Sequence, residues 1–281
     1  MRKLFITSIV AFCATLTYAQ GDFFGNLAPK KKTVVVNLPN KPNKVDAQGR
    51  KQGEWAKKYP NGRYAYVATF VDDIPVDTIK RYYDTGVLSM YQIYKGDTCN
   101  VINFSSTGEM ESNGIYVNEK KEGLWTFYNP DGSKISQTNF KADTPDGVSQ
   151  TYYPTGELLE TITYKDGVKH GDWFRYYKSG TVQIKATYHN DKLHGHYRVI
   201  NGNGDVSTEG VYNKGVSVGE WKHLDTDTRQ IYIKKYDNNG KLLNEEEINE
   251  RDQKRLEYYD RNRHSLDDPA LHINDPSTYN F

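Results

Sequence analysis

A glycine returns every 24 residues along most of this chain, and that regularity decides what the chain can fold into. The stretch Gly171-Asp172-Trp173-Phe174-Arg175-Tyr176-Tyr177-Lys178-Ser179-Gly180 is the clearest copy. Its leading glycine belongs to the series Gly123, Gly147, Gly171, Gly195 and Gly219, and its closing glycine to Gly132, Gly156, Gly180 and Gly204, each in steps of 24. Upstream, Gly53 to Gly62 is a further copy, and Gly86 and Gly108 close two degenerate copies that begin at Asp77 and Cys99. The step from Gly86 to Gly108 alone departs from the rule, at 22 residues. Eight places after each closing turn stands an aromatic: Phe70, Tyr94, Tyr116, Phe140, Tyr164, Tyr188, Tyr212 and Tyr236. A fixed period of this length means a repeat architecture, one supersecondary unit stacked on the next.

Each unit reads as a hairpin. The closing turns include Tyr59-Pro60-Asn61-Gly62, Asn129-Pro130-Asp131-Gly132 and Tyr153-Pro154-Thr155-Gly156. Proline presets the first central position of a type I turn, a short polar residue fits the second, and glycine takes the left-handed conformation that lets the return strand pair. The flanking runs of Trp, Tyr, Ile, Val and Thr suit a pleated, half-buried surface. The expected fold is therefore all-β: an elongated single-layer antiparallel meander of about eight 24-residue hairpins over residues 45–240. The structural turn glycines are Gly62, Gly86, Gly108, Gly132, Gly156, Gly180 and Gly204.

The pattern Gly-x-Trp-x-x-Tyr-Tyr-x-x-Gly, followed by a strand ending in Tyr-x-x-Gly, resembles the MORN repeat, in the variant found in bacterial envelope and antitoxin-like proteins. What the resemblance implies is a meander of hairpins used for binding or spacing, with no catalytic residues attached to the repeat.

Two aromatic columns follow the repeat. Two places after each leading position stand Trp55, Ile79, Val101, Trp125, Ser149, Trp173, Tyr197 and Trp221. Five places after stand Lys58, Tyr82, Phe104, Tyr128, Tyr152, Tyr176, Ile200 and Leu224. An odd difference puts the columns on opposite sides of an unbroken strand. Either both faces carry aromatics or a bulge switches the side. A single sheet leaves an aromatic stripe that nothing else in the chain covers, and such a stripe is a binding surface. The candidate partner-binding aromatics are Trp55, Trp125, Trp173, Tyr197, Trp221, Tyr128, Tyr152 and Tyr176. The degenerate units around Asp77 and Cys99 either bend the array, seat a partner, or have drifted.

Composition narrows the function classes. The chain has 37 basic and 36 acidic residues for a net charge of +1, which argues against nucleic acid as the partner, since that footprint is a basic face or stripe. Met1 to Ala19 reads as a signal peptide: Arg2 and Lys3, an apolar run from Leu4 to Leu16, then Thr17-Tyr18-Ala19 as the cleavage site. Phe12 before Cys13 is too bulky for a good lipid-attachment motif. The expected locality is the periplasm, the outer-membrane periphery or the exterior. Residues 20–44 read as an extended arm in which Val34, Val35 and Val36 can add as an edge strand and Lys30, Lys31 and Lys32 form a solvated patch. Residues 241–264 read as a capping helix with Asn244 as its cap, acids in its first turn and the pairs Glu247–Arg251 and Glu250–Lys254, and residues 265–281 as an extended tail.

Signatures of chemistry are missing. His170 and His194 share one repeat position, about 9 to 10 Å apart across two strands, too far to share an ion. His194 and His196 lack a third ligand at suitable spacing. Gly202-Asn203-Gly204 is a turn rather than a phosphate loop, with no Gly-Lys-Ser/Thr after it. After export Cys99 is the one remaining cysteine, a small half-buried residue. The reading is an exported, non-enzymatic scaffold or spacer that takes no cofactor or metal and binds an envelope protein. The alternatives are a lipid- or glycan-binding module with peripheral membrane contact, and an antitoxin or immunity-type binding protein.

Overall fold

Turn chemistry dictates the hairpins, and the computed structural model, which describes residues 42–226 and 228–261, forms them as expected. At Asn129–Gly132 the Gly132 N–H donates to the Asn129 carbonyl at 2.9 Å, and the Asn129 N–H to the Ser133 carbonyl at 2.8 Å. Gly132 sits at φ +87°, where a Cβ would be strained. Asp131 fixes the return by accepting the Ser133 N–H at 2.8 Å. The same pair of backbone bonds closes the turns at Gly62, Gly86, Gly108, Gly156, Gly180 and Gly204. The opposite ends of the hairpins are two-residue turns with both residues left-handed, as at Asp72-Asp73, Ala142-Asp143 and Asn190-Asp191. Such turns match the right-handed twist of the strands they join, and short Asp and Asn side chains tolerate them.

The chain divides into two units, residues 1–192 and 193–281. The first holds β1 (Lys44–Val45), β2 (Lys51–Lys58), β3 (Tyr64–Val71), β4 (Ile74–Tyr82), β5 (Leu88–Lys95), β6 (Thr98–Phe104), β7 (Met110–Val117), β8 (Lys120–Tyr128), β9 (Lys134–Lys141), β10 (Thr144–Tyr152), β11 (Leu158–Lys165), β12 (Val168–Tyr176) and β13 (Val182–His189). Each pairs antiparallel with its neighbours in sequence. A short β14 (Lys192–Leu193) falls at the division. The second unit is the meander β15 (Gly195–Ile200), β16 (Val206–Asn213), β17 (Val216–Leu224) and β18 (Ile231–Tyr236), then helix α1 (Glu245–Arg261). The fold is thus an all-β antiparallel meander with one C-terminal helix.

The leading glycines are bulges. Between β11 and β12 the register runs Ile162 to Trp173, then jumps to Tyr164 with Lys169, leaving two extra residues in β12 around Gly171 at φ +109°. This explains the 22-residue step: β6 pairs with β5 without any shift, from Lys95–Thr98 to Met90–Asn103, so the two residues a bulge needs are missing. The bulge-free strand is also the best buried. Val101 and Ile102, on opposite faces of β6, are 0% and 1% exposed; Ile102 packs with Phe104, Leu88, Tyr91 and Met110, and Cys99, Ile79 and Tyr82 of the same degenerate repeats are buried too. The degenerate repeats therefore supply the core of the first unit, where apolar side chains replace the Gly-x-Trp pattern.

Open sheet edges need closing, and each unit closes one with an asparagine. Asn43, at φ +66°, accepts the Ala56 N–H at 2.8 Å and donates Nδ2 to the Ala56 carbonyl at 3.1 Å, beside β1 on the edge of β2. Asn244 accepts the Lys235 N–H at 2.9 Å and donates to the Ile233 carbonyl at 2.9 Å on the edge of β18. The same carboxamide meets Glu247 Oε2 in the first turn of α1 at 3.1 Å, so Asn244 holds the sheet edge as well as the expected helix start, because the open edge of β18 presents both a donor and an acceptor. The helix itself lies on its unit through buried Ile248 and through Arg251, whose guanidinium stacks 3.6 Å from the Tyr232 ring centre and bonds Asp225. Arg251 so engaged does not make the expected pair with Glu247, while Lys254 and Glu250 meet at 4.0 Å. The expected signal peptide, the arm through residue 41 with Val34–Val36 and Lys30–Lys32, and the tail at 265–281 lie outside the described residues.

Candidate functional site

Strand parity decides where the aromatic columns point. Between β12 and β13 the pairs Trp173–Ala186, Phe174–Lys185 and Arg175–Ile184 run in register, and the slip comes only after Arg175. Trp173 and Tyr176 therefore stand on opposite faces, and Tyr176 lies beside Phe174, ring centres 6.3 Å apart and 28° from parallel. Both faces carry aromatics.

On the tryptophan face, a column of residues in the preceding strand decides how each ring lies. Trp125 lies flat on Gly114, so closely that a Cβ there would fall 2.3 Å from its Cδ2. The ring is 1% exposed, held edge-on to Tyr116 at 4.9 Å, with Nε1 donating to the Ile115 carbonyl at 3.1 Å. Trp221, in the second unit, repeats the device on Gly210 and is 5% exposed. Trp173 meets Ile162 instead and stays half-buried, its Nε1 donating to Glu160 Oε1 at 2.7 Å. Trp55 packs beside Ala68, 6.2 Å from Phe70, and is half-buried, as is Tyr197 in the second unit, 5.3 Å from Tyr212. Lysines overlie this face: Lys51 Nζ is 4.8 Å from the Phe70 centre, Lys121 5.1 Å from Trp125 and Lys169 5.2 Å from Tyr188.

The opposite, tyrosine face of the first unit is a hydrogen-bonded lattice. Asn113 Nδ2 donates to the Tyr128 hydroxyl at 3.2 Å, and Gln137 Nε2 to Thr126 Oγ1 at 3.2 Å. The Tyr152 hydroxyl donates to Gln137 Oε1 at 2.6 Å and lies 3.2 Å from Gln150 Oε1. Partial burial pushes the Tyr152 phenol above its ordinary value. Tyr128, Tyr152 and Tyr176 are all half-buried.

Several residues that repeat position alone did not single out hold the array together. Tyr59, Tyr83 and Tyr153 each donate their hydroxyl to a carbonyl about one repeat further on, at Tyr82, Phe104 and Tyr176, at 2.8, 2.9 and 2.8 Å. The position before each bulge glycine reaches the next two-residue turn: Glu122 accepts the Ala142 N–H at 3.0 Å, Asp146 the Asp166 N–H at 3.2 Å, and His194 Nδ1 the Lys214 N–H at 3.4 Å. His170 lies in the same column, 3.3 Å from Asn190 Oδ1. The histidines are thus turn clamps, and among the described residues no three His, Cys, Asp or Glu side chains gather as a metal site.

No acid–base pair faces the groove of about 550 Å³ between Lys58, Arg81 and Tyr82 in the first unit, which is lined by cations, tyrosines and small residues. Cys99 is 4% exposed, and burial pushes its thiol up. Tyr94 beside it is pushed to about 12, by burial and then by the thiol. Among the described residues no helix is long and apolar enough to cross a membrane.

The family model described as MORN repeat variant matches residues 121–142, 145–166 and 169–190. Each match covers one hairpin of the first unit, β8–β9, β10–β11 and β12–β13. No curated protein matches the chain. Among solved structures, the crystal structure of TarM is 13% identical with a TM-score of 0.25 over 32% of this chain and 20% of that one. A mutant of S. aureus TarM in complex with fondaparinux, alpha-GlcNAc-glycerol and UDP is 11% identical with a TM-score of 0.26, over 33% and 19%. At those scores neither bears on fold or function here.

Proposed function

We propose that this chain is an exported, non-enzymatic repeat scaffold of the cell envelope that holds a protein partner on its tryptophan-bearing faces. One observation carries the reading. The repeats bury Trp125 and Trp221 in their own packing, yet leave Trp55, Trp173 and Tyr197 half-open in the same column. Large aromatics with open surface on a rigid frame are the residue types that anchor protein interfaces. The overlying lysines add a polar rim, and the matched repeats support a binding module rather than a catalyst.

The test is an affinity pull-down of the tagged full-length protein from its native envelope in mild detergent, beside a Trp55→Ala, Trp173→Ala variant. One or a few near-stoichiometric proteins captured by the wild type and lost from the variant are expected. Capture of none, or equal capture by both, sinks the reading.

A further inference from the structure

We propose that the tyrosine face of the first unit binds an extended, uncharged polysaccharide, with Tyr128, Tyr152 and Tyr176 as successive platforms for its sugar rings. This goes beyond the protein-scaffold reading and uses the opposite face, so either can fail alone.

The geometry starts from the tethers. A tyrosine whose hydroxyl reaches a side chain on the adjacent strand must lie across the sheet rather than stand on it. Tyr128 reaches Asn113 on β7, and Tyr152 reaches Gln137 on β9. One side of each ring then covers the neighbouring strand while the other faces outward, which is why these residues are half-buried. Tyr176 continues the row beside Phe174, ring centres 6.3 Å apart and 28° from parallel. A flat aromatic presented this way fits the C–H face of a pyranose.

Spacing and charge select the ligand. Equivalent positions in successive repeats lie two strands apart, about 10 Å, the length of two sugar rings joined end to end in an extended chain. One polymer can therefore meet several platforms in register. Between them lie Gln137, Gln150, Thr126 and Asn113, neutral donors and acceptors suited to hydroxyl groups. Beside the three platforms two cations and two acids share the face: Lys134 and Lys185 lie over Tyr152 and Phe174, and Glu122 and Asp172 pair with Ile115 and Thr187, while Lys58 and Lys80 sit on the same face outside this stretch. A stretch of mixed charge matches an uncharged chain, whereas an anionic membrane or acidic polymer calls for an excess of cations.

The test is isothermal titration of the full-length protein with cellohexaose and chitohexaose, extended β-1,4 oligomers, and with maltohexaose, which curls. Binding of an extended oligomer is expected, with affinity gaining about tenfold from disaccharide to hexasaccharide as further platforms engage. Tyr152→Ala and Tyr176→Ala should each lower it about tenfold. Tyr152→Phe keeps the packing and loses the tether, and Gln150→Ala keeps the fold and loses an acceptor, so both weaken binding even should the alanine variants misfold. The proposal is overturned by no saturable binding of either extended oligomer, by equal binding of maltohexaose, by unchanged affinity in Tyr152→Phe and Gln150→Ala, or by co-sedimentation with anionic vesicles in place of oligosaccharide.

Discussion

Adding one methyl group at Gly114 should destabilise the first unit by far more than its size suggests. Gly114 sits mid-strand in β7 with no positive φ, so its backbone accepts alanine, and such a change ordinarily stabilises a strand by about 0.5–1 kcal/mol. Here the new Cβ would lie 2.3, 2.4 and 2.7 Å from Trp125 Cδ2, Cε2 and Cγ. Carbon atoms pack at about 3.5–4.0 Å, so the indole must rise by more than about 1 Å. Rising breaks its bond to the Ile115 carbonyl, worth about 1 kcal/mol. A ring left as open as Trp173 also exposes on the order of 80 Å² of apolar surface, about 2 kcal/mol at 25 cal/mol per Å². With partial relaxation, a net loss of about 2–3 kcal/mol is expected. Urea unfolding followed by circular dichroism measures it, and a red shift in tryptophan emission reports the exposed indole. In a Trp125→Leu background the same alanine should cost almost nothing. A Gly114→Ala protein as stable as the wild type, or one equally destabilised in the Trp125→Leu background, would refute the reasoning.

Other consequences can be checked directly. Gly132→Ala forces a left-handed Cβ and should cost about 1–2 kcal/mol in thermal unfolding, with Gly132→Asn milder. His223 is half-buried, its protonation opposed by burial and then by Lys234 and Arg251, so its folded pKa lies below the ordinary 6.5. Stability from the neutral imidazole is complete above that value and declines as pH falls below it. The thermal midpoint of the wild type should therefore drop on acidification more than that of His223→Gln, and equal drops would contradict the assignment. Asn43→Ala removes two edge bonds at about 1 kcal/mol each and should speed hydrogen exchange at the Ala56 amide, while Asn244→Ala should do so at Lys235. Cys99 should resist alkylation in the native protein and react on unfolding, as read by peptide mapping.

The closing turns were legible because their chemistry is local: proline, a short polar residue and glycine specify that conformation wherever they occur. The two faces were half-legible. Counting placed the tryptophan and tyrosine columns an odd number apart, but only the register through Arg175 showed that no bulge intervenes. Gly114 and Gly210 went unremarked because their meaning lies in a partner eleven residues away, although glycine inside a strand is the signal of close approach. The degenerate repeats left a bend, a partner seat and drift all open because Gly-x-Trp was gone; what replaced it includes Val101 and Ile102, which are core. Asn244 at the start of the helix was legible, but its hold on β18 was not, because sequence shows the helix that follows and not the strand edge beside it. Which aromatics keep open surface was not legible, since that depends on whether the neighbouring strand offers Gly, as to Trp125, or Ile, as to Trp173.

The two asparagine clasps bear on how such a chain can change length. Many repeat arrays end in specialised terminal repeats with a polar outer face. Here Asn43 and Asn244 each set one side-chain amide against an edge where the described residues add no long strand. Nothing in either clasp refers to the number of hairpins between them. Duplication or loss of a 24-residue segment would leave both clasps intact. The number of hairpins then becomes adjustable one at a time, by unequal recombination alone, without redesign of either clasp.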